Sequence, residues 1–151
     1  MILHIFNNAE EIGKAVANLI IEQVNEKPDS VLGFATGASP VPTYQALINA
    51  YKKGKVSFKD ITTFNLDEYC DLPVDDKNSY YTFMHENLFN HIDVKEENVN
   101  FLNGNAEDAD AECMRYDDLL TENKIDIQLL GVGRNGHIGF NEPANKFTKG
   151  S

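Results

Sequence analysis

Short apolar runs alternate along this chain with longer segments whose apolar residues recur at helical spacing. The runs lie at residues 2–6, 31–35, 61–64, 99–102 and 125–130, and each has the length of a strand. Strands that alternate with helices favour a parallel sheet, because a parallel connection needs a crossover about as long as a helix. The sequence therefore predicts a doubly wound α/β fold, with a mostly parallel sheet and helices on both of its faces.

Capping signals predict where several helices begin and end. Ser39 and Pro40 are typical of an N-cap followed by the first helical residue, and Gly54 is typical of a residue just past a helix end. A further helix is predicted over residues 79–89. Asn105 is the predicted N-cap of the helix that precedes the last apolar run.

Composition limits the kinds of partner that such a chain can bind. Its 151 residues carry 24 acidic and 13 basic side chains, for a net charge of −11. This balance argues against nucleic acid and against an anionic membrane surface as partners, because both attract a basic face. The negative net charge does not exclude binding of a small anionic ligand, since backbone amides at a helix start can hold phosphate without a side-chain cation.

The remaining sequence signals predict a cytoplasmic protein with one domain over residues 1–151. No apolar run approaches the ~18 residues of a membrane span, and the apolar start is short and has no basic flank. Cys70 and Cys113 are too few for a disulfide framework and indicate reduced thiols. Residues 145–151 do not resemble a finished element, so we expect the natural chain to extend further. Self-association is possible, but no pattern in the sequence tests it.

Residues 33–40 form the first candidate site, between a predicted strand and a predicted helix. Small residues let the backbone approach a ligand, and amides at the helix start suit a phosphate. The segment matches neither the Walker loop nor the dinucleotide-binding motif. By pattern alone, a phosphate loop and a plain strand-to-helix turn remain equally open. The predicted phosphate-binding residues are Thr36, Gly37, Ala38 and Ser39.

Two other loops carry groups suited to proton transfer. Asp67 follows a strand and could act as a general base if burial raised its pKa, although this segment by itself favours solvated acids at Asp67 and Glu68 in a chain with 24 acidic residues. His137 lies in a glycine-rich loop with Asn135 and Glu142, and it is the best single candidate for proton transfer near neutral pH because its side chain is an imidazole. No convincing metal-ligand set and no Ser or Cys nucleophile beside a base accompany these residues. The combination points to proton transfer on a phosphorylated small molecule.

The order of these motifs closely resembles the glucosamine-6-phosphate deaminase family. The resemblance is carried by residues 35–40, 64–69 and 131–143, with further similarity at residues 78–89 and 103–106. The segment at 131–143 is highly specific, and the resemblance covers nearly the whole chain. It implies a Rossmann-like fold and an enzyme that converts glucosamine 6-phosphate and water to fructose 6-phosphate and ammonia without a metal or organic cofactor.

The resemblance also implies roles for individual residues. Asp67 stands where the family keeps the base that moves a proton between C2 and C1 of the opened sugar. His137 stands at the acid/base that opens the ring, with Asn135 and Glu142 as its partners, and residues 36–39 match the phosphate loop.

Three features depart from the family pattern. Position 135 is Asn where some relatives carry Asp, and residues 76–77 are Asp-Lys where relatives often have His-Pro. Family members also continue well past residue 151, with a region similar to a lid and further basic phosphate ligands. The resemblance therefore implies little or no activity for the 151 residues alone.

Two rival functions stay open from the sequence. One is a sugar-phosphate lactonase or isomerase on the same architecture. The other is a sugar-phosphate-binding module without catalysis.

Overall fold

Four short strands form a parallel sheet in the computed structural model, which describes residues 2–139 and 141–146. The strands are β1 (Val31–Phe34), β2 (Thr62–Asn65), β3 (Val99–Asn100) and β4 (Ile127–Gln128). Their order across the sheet is β3-β2-β1-β4, and every neighbouring pair is parallel. The predicted parallel α/β sheet is confirmed.

Helices cover both faces of this sheet, as predicted. Within the described residues the α-helices are α1 (Ala9–Glu26), α2 (Val41–Lys52), α3 (Tyr80–Asn87) and α4 (Ala109–Glu122). Two 3₁₀ turns, Phe89–His91 and Glu96–Asn98, join α3 to β3. In residues 2–139 and 141–146, no helix combines the length and the apolar composition that crossing a bilayer requires.

Alternating side chains of β1 build the two halves of the core. Leu32 and Phe34 pack with α1, α2 and α3 on one face. Val31 packs with Phe64 of β2 and Tyr116 of α4 on the other face. This division follows from the strand period of two, which sends successive side chains to opposite sides of a sheet.

The strand order places a crevice at the carboxyl end of β1. The chain passes from β1 to β2 and from β2 to β3 in one direction, and then crosses to β4 on the other side of β1. The loops that follow β1 and β4 therefore diverge at a reversal of strand order, which is where ligands bind in open α/β sheets. Phe34 is aligned with Asn65, so the loops after β1 and β2 begin at the same level.

Residues 2–6 form no strand, and this prediction was wrong. The segment is extended and exposed, with Ile2 at 84% and Ile5 at 86% of full exposure. An apolar run becomes a strand only when a neighbouring strand satisfies its amides and carbonyls. No other described segment pairs with this one. The predicted strands at 99–102 and 125–130 are confirmed but reduced to the pairs of residues in β3 and β4.

Two predicted helix caps were also wrong. Helix α2 begins at Val41 with Pro40 at the N-cap position, and no side chain caps it. Helix α4 begins after Asp108, whose carboxylate accepts the amide of Ala111 at 2.9 Å. Asn105 instead donates its side-chain amide to the carbonyl of Leu72. Side chains of this type also hydrogen-bond to nearby loop backbone, so their presence alone does not locate a helix start.

Candidate functional site

Three loops meet around a cavity of about 250 Å³ at the carboxyl edge of the sheet. The loop after β1 contributes residues 35–40, the loop after β2 contributes Asp67, and the loop after β4 contributes His137. These loops are far apart in sequence, and the strand order brings them together. Every predicted phosphate-binding residue borders the cavity, as do two of the four predicted catalytic residues.

The loop after β1 presents amides that the fold itself leaves unused. Within the described residues, the amides of residues 36–39 donate to no carbonyl and to no side chain. Gly37 has φ +94, a conformation that side chains rarely adopt. Because α2 starts directly after this loop, its dipole adds positive potential there. The loop therefore offers a concave set of donors suited to an anion such as phosphate.

Two buried tyrosines hold the ends of β1 and β2 from opposite faces of the sheet. Tyr44 of α2 donates its hydroxyl to the carbonyl of Ala35 and accepts the amide of the same residue at 3.3 Å. Tyr116 of α4 donates to the carbonyl of Asn65 at 2.7 Å and accepts its amide at 3.1 Å. Each hydroxyl thus satisfies both backbone groups of a residue at the junction of a strand and a site loop. The loops consequently start from rigid anchors.

Asp67 is partly buried, and its pKa is raised above the ordinary value for an aspartate. Burial is the main cause, and the negative charge of Glu68 adds to it. A raised pKa makes a carboxylate a stronger base at working pH. Asp67 is therefore not an ordinary solvated acid, and it borders the cavity where a base would be useful.

Glu68 is not a solvated acid either, because its carboxylate caps helix α3. It accepts the amides of Tyr80 and Tyr81 at 2.8 Å each. Ser79 satisfies the next two amides of the helix, from Thr82 through its hydroxyl and from Phe83 through its carbonyl. All four amides of the first turn are therefore occupied, and this helix start has none left for a ligand.

The loop after β4 folds tightly around the imidazole of His137. The amide of Gly133 donates to the carbonyl of His137 at 2.8 Å. A Cβ atom at position 133 would overlap the His137 ring, so glycine is required for the imidazole to lie against the backbone. Gly136 turns the chain between them with φ +89. The glycines of this loop thus serve the placement of one side chain.

Asn135 and Glu142 do not border the cavity but lie against His137. Nδ1 of His137 is 3.5 Å from Oε1 of Glu142. Asn135 accepts the backbone amide of His137 at 3.2 Å and donates its side-chain amide to Glu142. Asn135 therefore links the backbone of the histidine to the glutamate, while Nδ1 of the imidazole lies near the glutamate without forming a hydrogen bond within the described residues.

Tyr80 is a cavity residue that sequence reasoning missed. It is the first residue of α3, it borders the cavity beside Asp67, and its ring lies 4.7 Å from that of Tyr69. Burial, followed by the hydrogen bond with Tyr69, raises the pKa of its hydroxyl. The signal was available in part, since Ser79 is a recognisable N-cap. The sequence could not indicate that this helix start faces the loop after β2.

Metal ligation is not evident at the site. Over residues 2–139 and 141–146, no three His, Cys, Asp or Glu side chains are grouped closely enough to share an ion. The residues around the cavity are suited to proton transfer by the carboxylate of Asp67 and the imidazole of His137, beside a loop whose amides suit an anion.

Comparison with solved structures agrees with this architecture. One match, described as a monomeric glucosamine-6-phosphate deaminase, has a TM-score of 0.94 and 46% identity, over 99% of this chain and 62% of its own. A 6-phosphogluconolactonase from Thermotoga maritima has a TM-score of 0.72 and 20% identity, over 90% of this chain and 61% of its own. The second likeness concerns the fold alone.

Sequence comparison gives the family. The glucosamine-6-phosphate deaminase of Lysinibacillus sphaericus is 51% identical over 142 residues, which are 93% of this chain and 60% of that protein. The corresponding protein of Alkaliphilus oremlandii is 48% identical over 149 residues, covering 98% of this chain and 62% of its own. The chain thus spans about 60% of the length of these curated relatives. A family model matches residues 7–139, and the chain belongs to the family of glucosamine-6-phosphate isomerases and 6-phosphogluconolactonases.

Proposed function

We propose that the protein carrying this chain converts glucosamine 6-phosphate and water to fructose 6-phosphate and ammonia. The observation that carries the proposal is one cavity bordered by Asp67, by His137 and by a loop of unused amides. Relatives about half identical to the chain are named glucosamine-6-phosphate deaminase, which supports the same substrate. The rest of the family's length lies outside this chain, so the proposal concerns the full natural protein.

In the proposed reaction each loop has one task. The amides of residues 36–39 bind the phosphate and so fix the sugar relative to the other two loops. His137 exchanges protons between the ring oxygen and the C1 hydroxyl, which opens the ring. Asn135 and Glu142 keep the imidazole oriented for that exchange.

Asp67 carries out the isomerisation step of the proposal. Its carboxylate removes the proton from C2 of the opened sugar and returns it to C1. The C1 oxygen gains a proton and the C2 nitrogen loses one, so the aldehyde becomes an alcohol and an imine is left at C2. Water then hydrolyses this imine to the ketone and releases ammonia. A carboxylate held against C2 gains from proximity as well as from its raised pKa.

The proposal is tested by ammonium release from glucosamine 6-phosphate with the full natural protein. Ammonium and fructose 6-phosphate should appear in equal amounts. The control substrate is 6-phosphogluconolactone, because the family also includes lactonases. Lactone hydrolysis without ammonium would replace the proposal with the lactonase function, and binding of the sugar phosphate without turnover would replace it with a binding module.

The proposed setting follows from the proposed substrate. A phosphorylated sugar is retained inside cells, so we propose a cytoplasmic location and no nucleic acid or membrane partner. The reaction as written needs no metal and no organic cofactor. Self-association of the protein stays a prediction, which sedimentation or scattering measurements would test.

A further inference from the structure

We propose that Glu68 is a positioning residue for Asp67: its carboxylate ties the loop after β2 to the start of α3, so that Asp67 and Tyr80 face the cavity together. This inference rests on the proposed function and extends it to a residue outside the cavity.

The contacts of Glu68 join two segments that are distant along the chain. Oε1 accepts the amide of Tyr69 and the amide of Tyr80, both at 2.8 Å. Oε2 accepts the amide of Tyr81, also at 2.8 Å. Hydrogen bonds to an ionised group are the stronger kind, and three of them converge on this carboxylate.

Glu68 accepts the two amides of this helix start that Ser79 does not accept. Ser79 accepts the amides of Thr82 and Phe83, at 3.0 Å each. The amides of Tyr80 and Tyr81 thus depend on Glu68. The ring contact between Tyr69 and Tyr80, together with a hydrogen bond of 3.3 Å between their hydroxyls, is a second tie between the same segments, but it joins side chains and leaves the backbone amides of α3 to Glu68.

The position of Glu68 also places a negative charge beside Asp67. Burial is the main cause of the raised pKa of Asp67, and Glu68 is the next. The other titratable groups near Asp67 are Tyr80 from α3, Tyr116 from α4 and His137 from the loop after β4. Unlike these three groups, Glu68 supplies a negative charge, which the positive end of α3 stabilises.

The test compares three variants of the full natural protein. Glu68→Gln removes the charge and turns a donor toward the amide of Tyr81. Glu68→Asp keeps the charge but is one methylene too short for the same contacts. Ser79→Ala is the matched control, because it removes the hydroxyl that accepts the amide of Thr82 and donates to the carbonyl of Val74, and this hydroxyl forms no hydrogen bond with Asp67 or Glu68 in the described structure.

We expect both Glu68 variants to lower kcat by about 10- to 100-fold, with little change in KM, because a misplaced base loses proximity to C2. Ser79→Ala should lower the urea midpoint while kcat stays close to the wild-type value. The base must be deprotonated, so activity falls at acid pH. Glu68→Gln should move this acid limb to lower pH, and Glu68→Asp should leave it in place.

The outcomes separate this inference from the proposed function. The positioning role would be overturned by wild-type kcat in both Glu68 variants, or by a loss of kcat in Ser79→Ala as large as theirs. Ammonium release by the wild type would still support the proposed reaction. A wild type that releases no ammonium defeats the proposed function. In either case, hydrogen exchange at the amides of Tyr80 and Tyr81 tests the tie directly: slow exchange in the wild type supports it, and fast exchange overturns it.

Discussion

Asp67 combines partial burial with a negative neighbour, two features that disfavour its charged form. A carboxylate at this place lowers the stability of the folded protein, because burial and the negative neighbour both disfavour its ionised form. The same features increase its basicity. We therefore expect stability and turnover to respond in opposite directions when this side chain is neutralised.

Asp67→Asn should make the protein more stable near neutral pH. The folded state binds the Asp67 proton more tightly than the unfolded chain does, so the stability linked to this group is complete below its unfolded pKa of about 3.9 and is lost as pH rises through its raised folded pKa. The stability gained by the variant should therefore shrink as the pH is lowered toward 4. Urea unfolding across this range is the measurement.

Asp126→Asn is the contrasting control for that experiment. Its hydrogen bonds with Lys27 and with the amide of Val31 lower the pKa of Asp126. Its contribution is therefore present above the unfolded pKa and is lost as the pH falls through the lowered value. Asp126→Asn should destabilise the protein at neutral pH, and stabilisation by both variants would contradict the assignment.

Asp67→Asn should also reduce turnover far more than affinity. An amide cannot accept the proton from C2, and general base catalysis contributes about 10²- to 10⁴-fold to the rate. KM for glucosamine 6-phosphate should change little, because we propose that residues 36–39, and not Asp67, bind the phosphate. Steady-state ammonium release gives both constants. An equal loss in kcat and in binding would contradict the role of Asp67 as the base.

Gly133→Ala should displace the imidazole of His137. The new Cβ would overlap the ring, whereas a Cβ at Gly131, on the same loop, would meet nothing within 4 Å. A misplaced catalytic group costs about 10²-fold in rate, so kcat should fall by that order in Gly133→Ala and much less in Gly131→Ala. Both positions are in an exposed loop, and the urea midpoint should barely move. Similar kinetics for the two variants would exclude the overlap as the cause.

Among helices and strands, the buried tyrosines illustrate how an element on one face controls a loop at the sheet edge. Tyr44 of α2 satisfies both backbone groups of Ala35, and Tyr116 of α4 does the same for Asn65. These contacts fix where each strand ends and where the loop with the functional groups begins. The helices thus do more than cover the apolar faces of the strands.

Tyr44→Phe should destabilise the protein by about 1–3 kcal/mol, because it leaves a buried amide and carbonyl of Ala35 without the hydroxyl. Tyr51→Phe in the same helix is the control. The Tyr51 ring packs against the same core, but its hydroxyl forms no hydrogen bond with the described residues. Its loss should stay within about 0.5 kcal/mol. Urea unfolding measures both, and equal effects would contradict the anchoring role of Tyr44.

Across the molecule, the site depends on how two helices approach each other on one face of the sheet. Gly13 of α1 lies directly against the start of α2, just after the loop that follows β1. A Cβ at this position would come within 2.6 Å of the carbonyl carbon of Pro42 and 2.8 Å of the amide nitrogen of Thr43. The spacing of α1 and α2 is therefore set by the absence of a side chain.

Gly13→Ala should destabilise the protein by about 1–3 kcal/mol, because the added methyl overpacks a helix contact. The sign of the change is the test. Replacing glycine with alanine inside a helix ordinarily stabilises it by about 0.5–1 kcal/mol. A higher urea midpoint in the variant would therefore show that α1 and α2 separate easily, contrary to the close approach.

Much of the architecture was predictable because local patterns encode it. The strand and helix periods predicted the order of the elements and the parallel sheet. Helix ends were less predictable, since Ser39 and Asn105 have the chemistry of caps but neither side chain caps a helix. Residues 2–6 have the composition of a strand and lack a partner among the described residues.

The sequence alone determined most of the secondary structure, the residue types in the loops and the family. Each of these depends on residues that are close together along the chain. Strand order decides which loops meet, and it brings Asp67 and His137, which are 70 positions apart in the chain, to one cavity. The raised pKa of Asp67, the use of Glu68 as a helix cap and the presence of Tyr80 in the site all arise from contacts between distant segments. Burial and charge act through space, so they exist only once the chain has folded.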